Sequence, residues 1–240
     1  QNTGVGSLAM SANTTASNNT AVGYNALGSN TTGTPNNAFG AFALDANTTG
    51  SDNVAFGNNA LGVSTTGSSN TAIGGQSLAA NTTASNNTAV GKGALTANTT
   101  GAQNIAIGMG CMSANTTGPD NTAMGVSALD ANTEGTGNTA IGRQALQANT
   151  TSSYNTAVGL SALKENTTGT TNTAFGSVAL DANTTGGSNT ALGRASLTSN
   201  TTGSQNTGVG VSALEAITTG THNVSLGNNS LVVAQTSTYN

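Results

Sequence analysis

Large apolar side chains recur along this chain at two fixed places in every seventeen residues, with small or polar residues between them. One rank runs through Val22, Phe39, Phe56, Ile73, Val90, Ile107, Met124, Ile141, Val158, Phe175, Leu192 and Val209. The other is Leu or Met five residues later, from Met10 to Leu231. An asparagine three residues ahead of the first rank sets the beat, at Asn2, Asn19, Asn36, Asn53, Asn70, Asn87, Asn104, Asn121, Asn138, Asn155, Asn172, Asn189, Asn206, Asn223 and Asn240. Counting that asparagine as position one, the unit reads N-T-A-V-G-x-x-A-L-x-A-N-T-T-G-x-x, without insertion or deletion. Position five is glycine in all fourteen complete copies: Gly6, Gly23, Gly40, Gly57, Gly74, Gly91, Gly108, Gly125, Gly142, Gly159, Gly176, Gly193, Gly210 and Gly227.

Helical-hairpin repeats need about 33 to 47 residues, and Gly, Asn and Thr stand here where helix formers would be required. The beat instead predicts an all-β fold, a parallel β-solenoid (β-roll or β-helix) of about fourteen coils forming one domain over residues 1–240. Each coil is expected to run strand, turn, strand, turn, with the glycines of positions five and fifteen as structural turn residues. At about 4.8 Å per coil the array would make a rod of roughly 65 to 70 Å. Constant spacing stacks like on like, so the position-one amides are expected to form a structural ladder, hydrogen-bonded along the axis. Ser64, Ile217 and Ala234 replace Asn at position twelve, which reads as a more tolerant corner.

Alternation along a strand separates positions one, three and five from two and four. Position three is Ala except at Gly4, Gly208 and Ser225, whereas position four takes Val, Ile, Phe, Met and Leu. The expected lumen is therefore filled by Asn, Ala and Gly, and the apolar rank faces outward. A stripe of that length exceeds what a soluble monomer leaves bare, which points to a parallel homotrimer. The competing reading puts positions four and nine together in the core of each chain.

Composition narrows the function classes. Charged residues are 5% and aromatics 3%, with 33 Gly and a net charge of −4, so nothing basic is present to hold nucleic acid or an anionic membrane surface. No apolar run is long enough to insert in a membrane, and the array already begins inside a repeat at Gln1, as in a processed chain or a piece of a longer one. Charges fall at position six (Lys92, Arg143, Arg194) and position ten (Asp45, Asp130, Asp181, Glu215, Lys164), ranks expected to be solvent-exposed.

The eight acids are scattered, His222 stands apart from any ligand cluster, and the glycines open no helix pattern, the one Gly-Lys step being Gly91-Lys92. No catalytic, metal or cofactor site is therefore expected. Cys111 occupies a place that other copies give to Ala or Ser and reads as a small buried residue. Asn-Thr-Thr triplets, from Asn13 and Asn30 onward, match the glycosylation acceptor pattern of a eukaryotic secretory protein, although a structural ladder of amides and hydroxyls explains them with no assumption about the host. Threonine ranks also raise an ice-binding solenoid. Against it, adjacent threonines in an extended segment would point to opposite faces.

The unit, as at residues 19–33 and 155–169, resembles the repeats of phage and bacterial tail-fibre-domain proteins. Its N-T-A-[VI]-G portion, at residues 70–74 and 138–142, is similar to the head repeats of trimeric autotransporter adhesins, which are shorter. The resemblance implies a trimeric, non-enzymatic fibre or adhesin shaft at a cell surface or on a virion, binding itself, with possible end-to-end stacking, and a surface or glycan receptor. An ice-binding solenoid is the alternative, and a self-polymerising extracellular filament is a third reading.

Overall fold

In the computed structural model, residues 1–231 and Thr236 are described; Ala234 and Asn240 lie outside these residues. Every coil opens with one short strand. Residues 1–120 form one compact unit holding β1 (Thr3–Val5), β2 (Thr20–Val22), β3 (Asn36–Phe39), β4 (Asn53–Phe56), β5 (Thr71–Ile73), β6 (Thr88–Val90) and β7 (Ile105–Ile107). Residues 121–240 form a second, with β8 (Thr122–Met124), β9 (Thr139–Ile141), β10 (Thr156–Val158), β11 (Thr173–Phe175), β12 (Thr190–Leu192), β13 (Thr207–Val209) and β14 (Val224–Leu226).

Within each unit the strands follow chain order, each parallel to the next and without slip. Val22 pairs with Phe39 in the first unit, and Val158 with Phe175 in the second. The fold is a parallel β-solenoid, and the described residues include no helix.

Among the described residues the expected second strand of each coil is absent. At positions thirteen and fourteen the backbone amides of Thr48 and Thr49 both donate to the carbonyl of Thr65, at 2.9 and 3.3 Å, and Thr48 Oγ1 donates to the same oxygen at 3.0 Å. Three donors on one acceptor bend the chain, so side chains there do not alternate as in a strand. Position twelve turns inward, position fourteen outward, and position thirteen lies half-buried between them.

The turn from position five to eleven is built on left-handed backbone. Position five has φ of +131° at Gly142 and +137° at Gly159; position seven is left-handed at Asn25 (φ 53°) and Ser127 (φ 52°). Position nine is left-handed too, although it carries leucine: Leu27, Leu44 and Leu163 have φ of 49°, 51° and 52°. That conformation costs an L-residue about 1–2 kcal/mol. These leucines are completely buried, worth of order 2 kcal/mol each, which offsets the backbone.

Two corrections to the expected lumen follow. The position-nine leucines belong to it, between the alanines of positions three and eight, all at zero exposure from Ala38 and Leu44 to Ala174 and Leu180. The position-five glycines do not: they are half-exposed at the strand's end, where their φ turns the chain. Position four stays out of the core, so the reading that joined positions four and nine inside each chain holds only for nine.

Candidate functional site

The interior polar chemistry is carried by two asparagine ladders. In the first, the backbone N–H of Asn53 donates to Asn36 Oδ1 and that of Asn70 to Asn53 Oδ1, each at 3.0 Å. The second ladder occupies position twelve, where Asn47 Nδ2 donates to Asn30 Oδ1 at 2.8 Å and Asn183 Nδ2 to Asn166 Oδ1 at 2.7 Å. Both meet at the carbonyl of position fifteen. Gly50 O accepts from Asn36 Nδ2 at 2.8 Å and from Asn47 Nδ2 at 3.0 Å, which fills both of its lone pairs.

Position twelve is thus a buried structural rank and not a tolerant corner. Its exceptions leave defects: Asn47 Oδ1, below Ser64, and Asn200 Oδ1, below Ile217, are buried without a partner. A buried unpaired acceptor costs about 1–3 kcal/mol. Ser64→Asn is therefore expected to stabilise the first unit by about 1 kcal/mol, read as a higher midpoint in guanidinium unfolding. An unchanged or lower midpoint would count against the second ladder. The same burial bears on glycosylation, because Asn30, Asn47 and Asn98 have zero exposure and amides already committed to the coil, so no glycan fits on them in the folded chain.

The outer face of the strands carries positions two and four. In the apolar rank, Phe56, Ile73, Ile107, Met124, Ile141, Phe175 and Leu192 are exposed, Phe56 by 57%, while Val22, Phe39, Val90, Val158 and Val209 are half-buried. Position six extends the apolar surface at Tyr24, Met109, Val126, Leu160 and Val211. Two aromatic pairs lie on this side: Phe39 stacks on Phe56 with centroids 5.6 Å apart, and Tyr24 meets Phe42 edge to face at 5.3 Å.

Lys92, Arg143 and Arg194 at position six are exposed, whereas position ten is only half-buried, a correction to the expected exposure of that rank. A residue just after the left-handed leucine folds back along the turn, where Asn25 Nδ2 reaches Asp45 Oδ2 at 3.5 Å. Burial pushes the Asp45 carboxyl up from its ordinary value, only partly countered by backbone hydrogen bonds at Asp45 and Ala46 and by Asn25. Burial likewise raises Asp181, against the opposing charge of Lys164. A carboxyl raised by folding favours the folded state while protonated, and that contribution is lost as pH climbs through its folded value. Stability should therefore rise on acidification from neutral to about pH 3, and the rise should shrink in Asp45→Asn/Asp181→Asn. Thermal unfolding at the two pH values checks this; an equal acid response in the double variant would contradict it.

Among the described residues no three His, Cys, Asp or Glu side chains converge in a way that could hold a metal, and no helix is long and apolar enough to cross a membrane. His222 is exposed at position seventeen, and Cys111 is fully buried at position eight. Comparison of the chain with protein-family models, with curated proteins and with solved structures found no match.

Proposed function

We propose that the chain is a non-enzymatic structural segment of an extracellular fibre or adhesin shaft, assembled as a parallel homotrimer through the outer face of its strands. The observation that carries this reading is the division of each strand: Ala fills the lumen at position three, while its neighbour at position four presents Val, Ile, Phe, Met or Leu to the outside in coil after coil. Within each unit such an apolar row is the surface of a chain that expects company. In-register stacking sustained by paired amides gives the stiffness a shaft needs, and the likeness of the unit to tail-fibre repeats supports the same role at a cell surface or on a virion.

Sedimentation equilibrium tests the assembly. The expected mass is three times the chain's 23.1 kDa, falling to the monomer in Ile141→Glu/Val158→Glu with an unchanged circular dichroism spectrum. A wild-type chain that sediments as a monomer would overturn the trimer.

The ice-binding reading draws on one observation, the outward threonines Thr139, Thr156, Thr173 and Thr190 that flank the apolar rank in register. Phe175 and Leu192 interrupt any flat lattice there. Thermal hysteresis on the purified chain separates the two, since a shaft shows none.

A further inference from the structure

Seven aromatic residues are present in the chain, and four of them, Tyr24, Phe39, Phe42 and Phe56, fall in three successive coils. Elsewhere position four is aromatic only at Phe175, and positions six and seven carry no other aromatic, so these coils differ from the rest in the cluster of ring faces they offer. Phe39 and Phe56 belong to the position-four rank. Tyr24 and Phe42 do not: they stand at positions six and seven, on the shoulder beside it, 49% and 39% exposed.

Their placement is fixed by backbone. The Phe42 N–H donates to the Tyr24 carbonyl at 2.9 Å, and the two rings meet at 78° to each other. One coil on, the Asn59 N–H donates to the Ala41 carbonyl at 3.0 Å, and Asn58 Nδ2 reaches the same oxygen at 3.4 Å, which sets both residues beside the Ala41–Phe42 step. Asn25, in the coil before Phe42, pairs across the turn with Asp45 at 3.5 Å.

We propose that Tyr24 and Phe42, with Asn25, Asp45, Asn58 and Asn59, form a binding site for a neutral glycan. The chemistry of the patch selects that class. The electron-rich face of an aromatic ring attracts the C–H groups on the apolar face of a pyranose, while the rim amides and Asp45 Oδ2 exchange hydrogen bonds with its hydroxyls. No Lys or Arg occurs before Lys92, so an acidic sugar or a phosphate would find no counter-charge here. A purely apolar partner would leave the rim amides and the tyrosine hydroxyl unpaired. The site deepens the attachment role above, on which it rests, by supplying a place and a ligand class.

The variant that tests it uses residues the array itself carries. Tyr24→Ser copies Ser177 at position six, and Phe42→Ser copies Ser127 at position seven, where φ is already 52°. Affinity electrophoresis of the full chain through gels containing a neutral β-glucan, a mannan, a galactan or the acidic polysaccharide alginate gives the readout. At least one neutral polysaccharide should retard the wild type, with a dissociation constant weakened at least about tenfold in Tyr24→Ser/Phe42→Ser and unchanged in Tyr154→Ser. Retardation by none of the neutral polymers, by alginate alone, or equally for wild type and double variant overturns the site. Sedimentation of the same samples keeps the two readings apart: a monomer that binds sinks the trimer and keeps the site, and a trimer that does not bind does the reverse.

Discussion

Gly142→Ala is expected to destabilise its coil by at least about 3 kcal/mol, although it adds a single methyl group. The backbone there has φ of +131°, outside the left-handed well that Asn or Ser can occupy. A Cβ would meet the Gly159 carbonyl oxygen at 2.4 Å and its carbon at 2.6 Å, and both atoms belong to backbone already held in the ladder. Position fifteen supplies the control. Gly101 does not have left-handed φ, and its Cβ would lie 2.6 Å from Asn98 Oδ1 and 2.7 Å from Gly118 O, tight contacts that the coils holding Ala16 and Ala84 accommodate. Gly101→Ala should cost about 1 kcal/mol. Because stacked repeats can unfold in parts, amide hydrogen exchange in the affected coils is the sharper readout beside global unfolding. Equal losses in the two variants would remove the special role assigned to position five.

Asn53→Ala is expected to cost roughly twice as much as Asn36→Ala, although the two residues hold the same place in adjacent coils. Removing the Asn36 amide orphans the Asn53 N–H, but the Gly50 carbonyl keeps its bond from Asn47. Removing the Asn53 amide orphans the Asn70 N–H and also the Gly67 carbonyl, because Ser64 stands where the second donor would be. At about 1–3 kcal/mol for each buried orphan, the losses are about 1–3 for Asn36→Ala and about 2–6 for Asn53→Ala. Repeating both substitutions in a Ser64→Asn background should bring the costs together. A persistent gap there would mean that the second ladder does not share the position-fifteen carbonyl.

The winding of the chain was legible from spacing alone, since a seventeen-residue beat without slips leaves in-register coils as its economical solution. The direction of the strand side chains followed from what position three refuses: a site that takes Ala, Gly or Ser and nothing larger is enclosed, so Val22 or Ile73 one residue on must look out. What stayed hidden has physical reasons. The left-handed leucines carried no signal, because Leu is chosen at position nine for the volume it fills and its φ is imposed by the turn. The second ladder was half legible in the Asn-Thr-Thr triplets and obscured by its own defects, since Ser64 and Ile217 look like tolerance until the orphaned oxygens of Asn47 and Asn200 are seen beneath them. The adjacent threonines misled through an assumption of strand geometry. The chain bends where three donors share one carbonyl, and both threonines stay outside the lumen.

Cys111 allows the inside and outside of the coil to be tested with the chain as it is. Position eight places its thiol in the lumen at zero exposure, whereas position fourteen, occupied by Thr100 in the preceding coil, is exposed. Native protein treated with a thiol-specific reagent should show no fast-reacting group, with Cys111 modified at least about a hundredfold more slowly than in guanidinium, and Thr100→Cys should add one fast thiol per chain. A Cys111 that reacts in the native chain as quickly as in the unfolded one would contradict the winding from which every other placement follows.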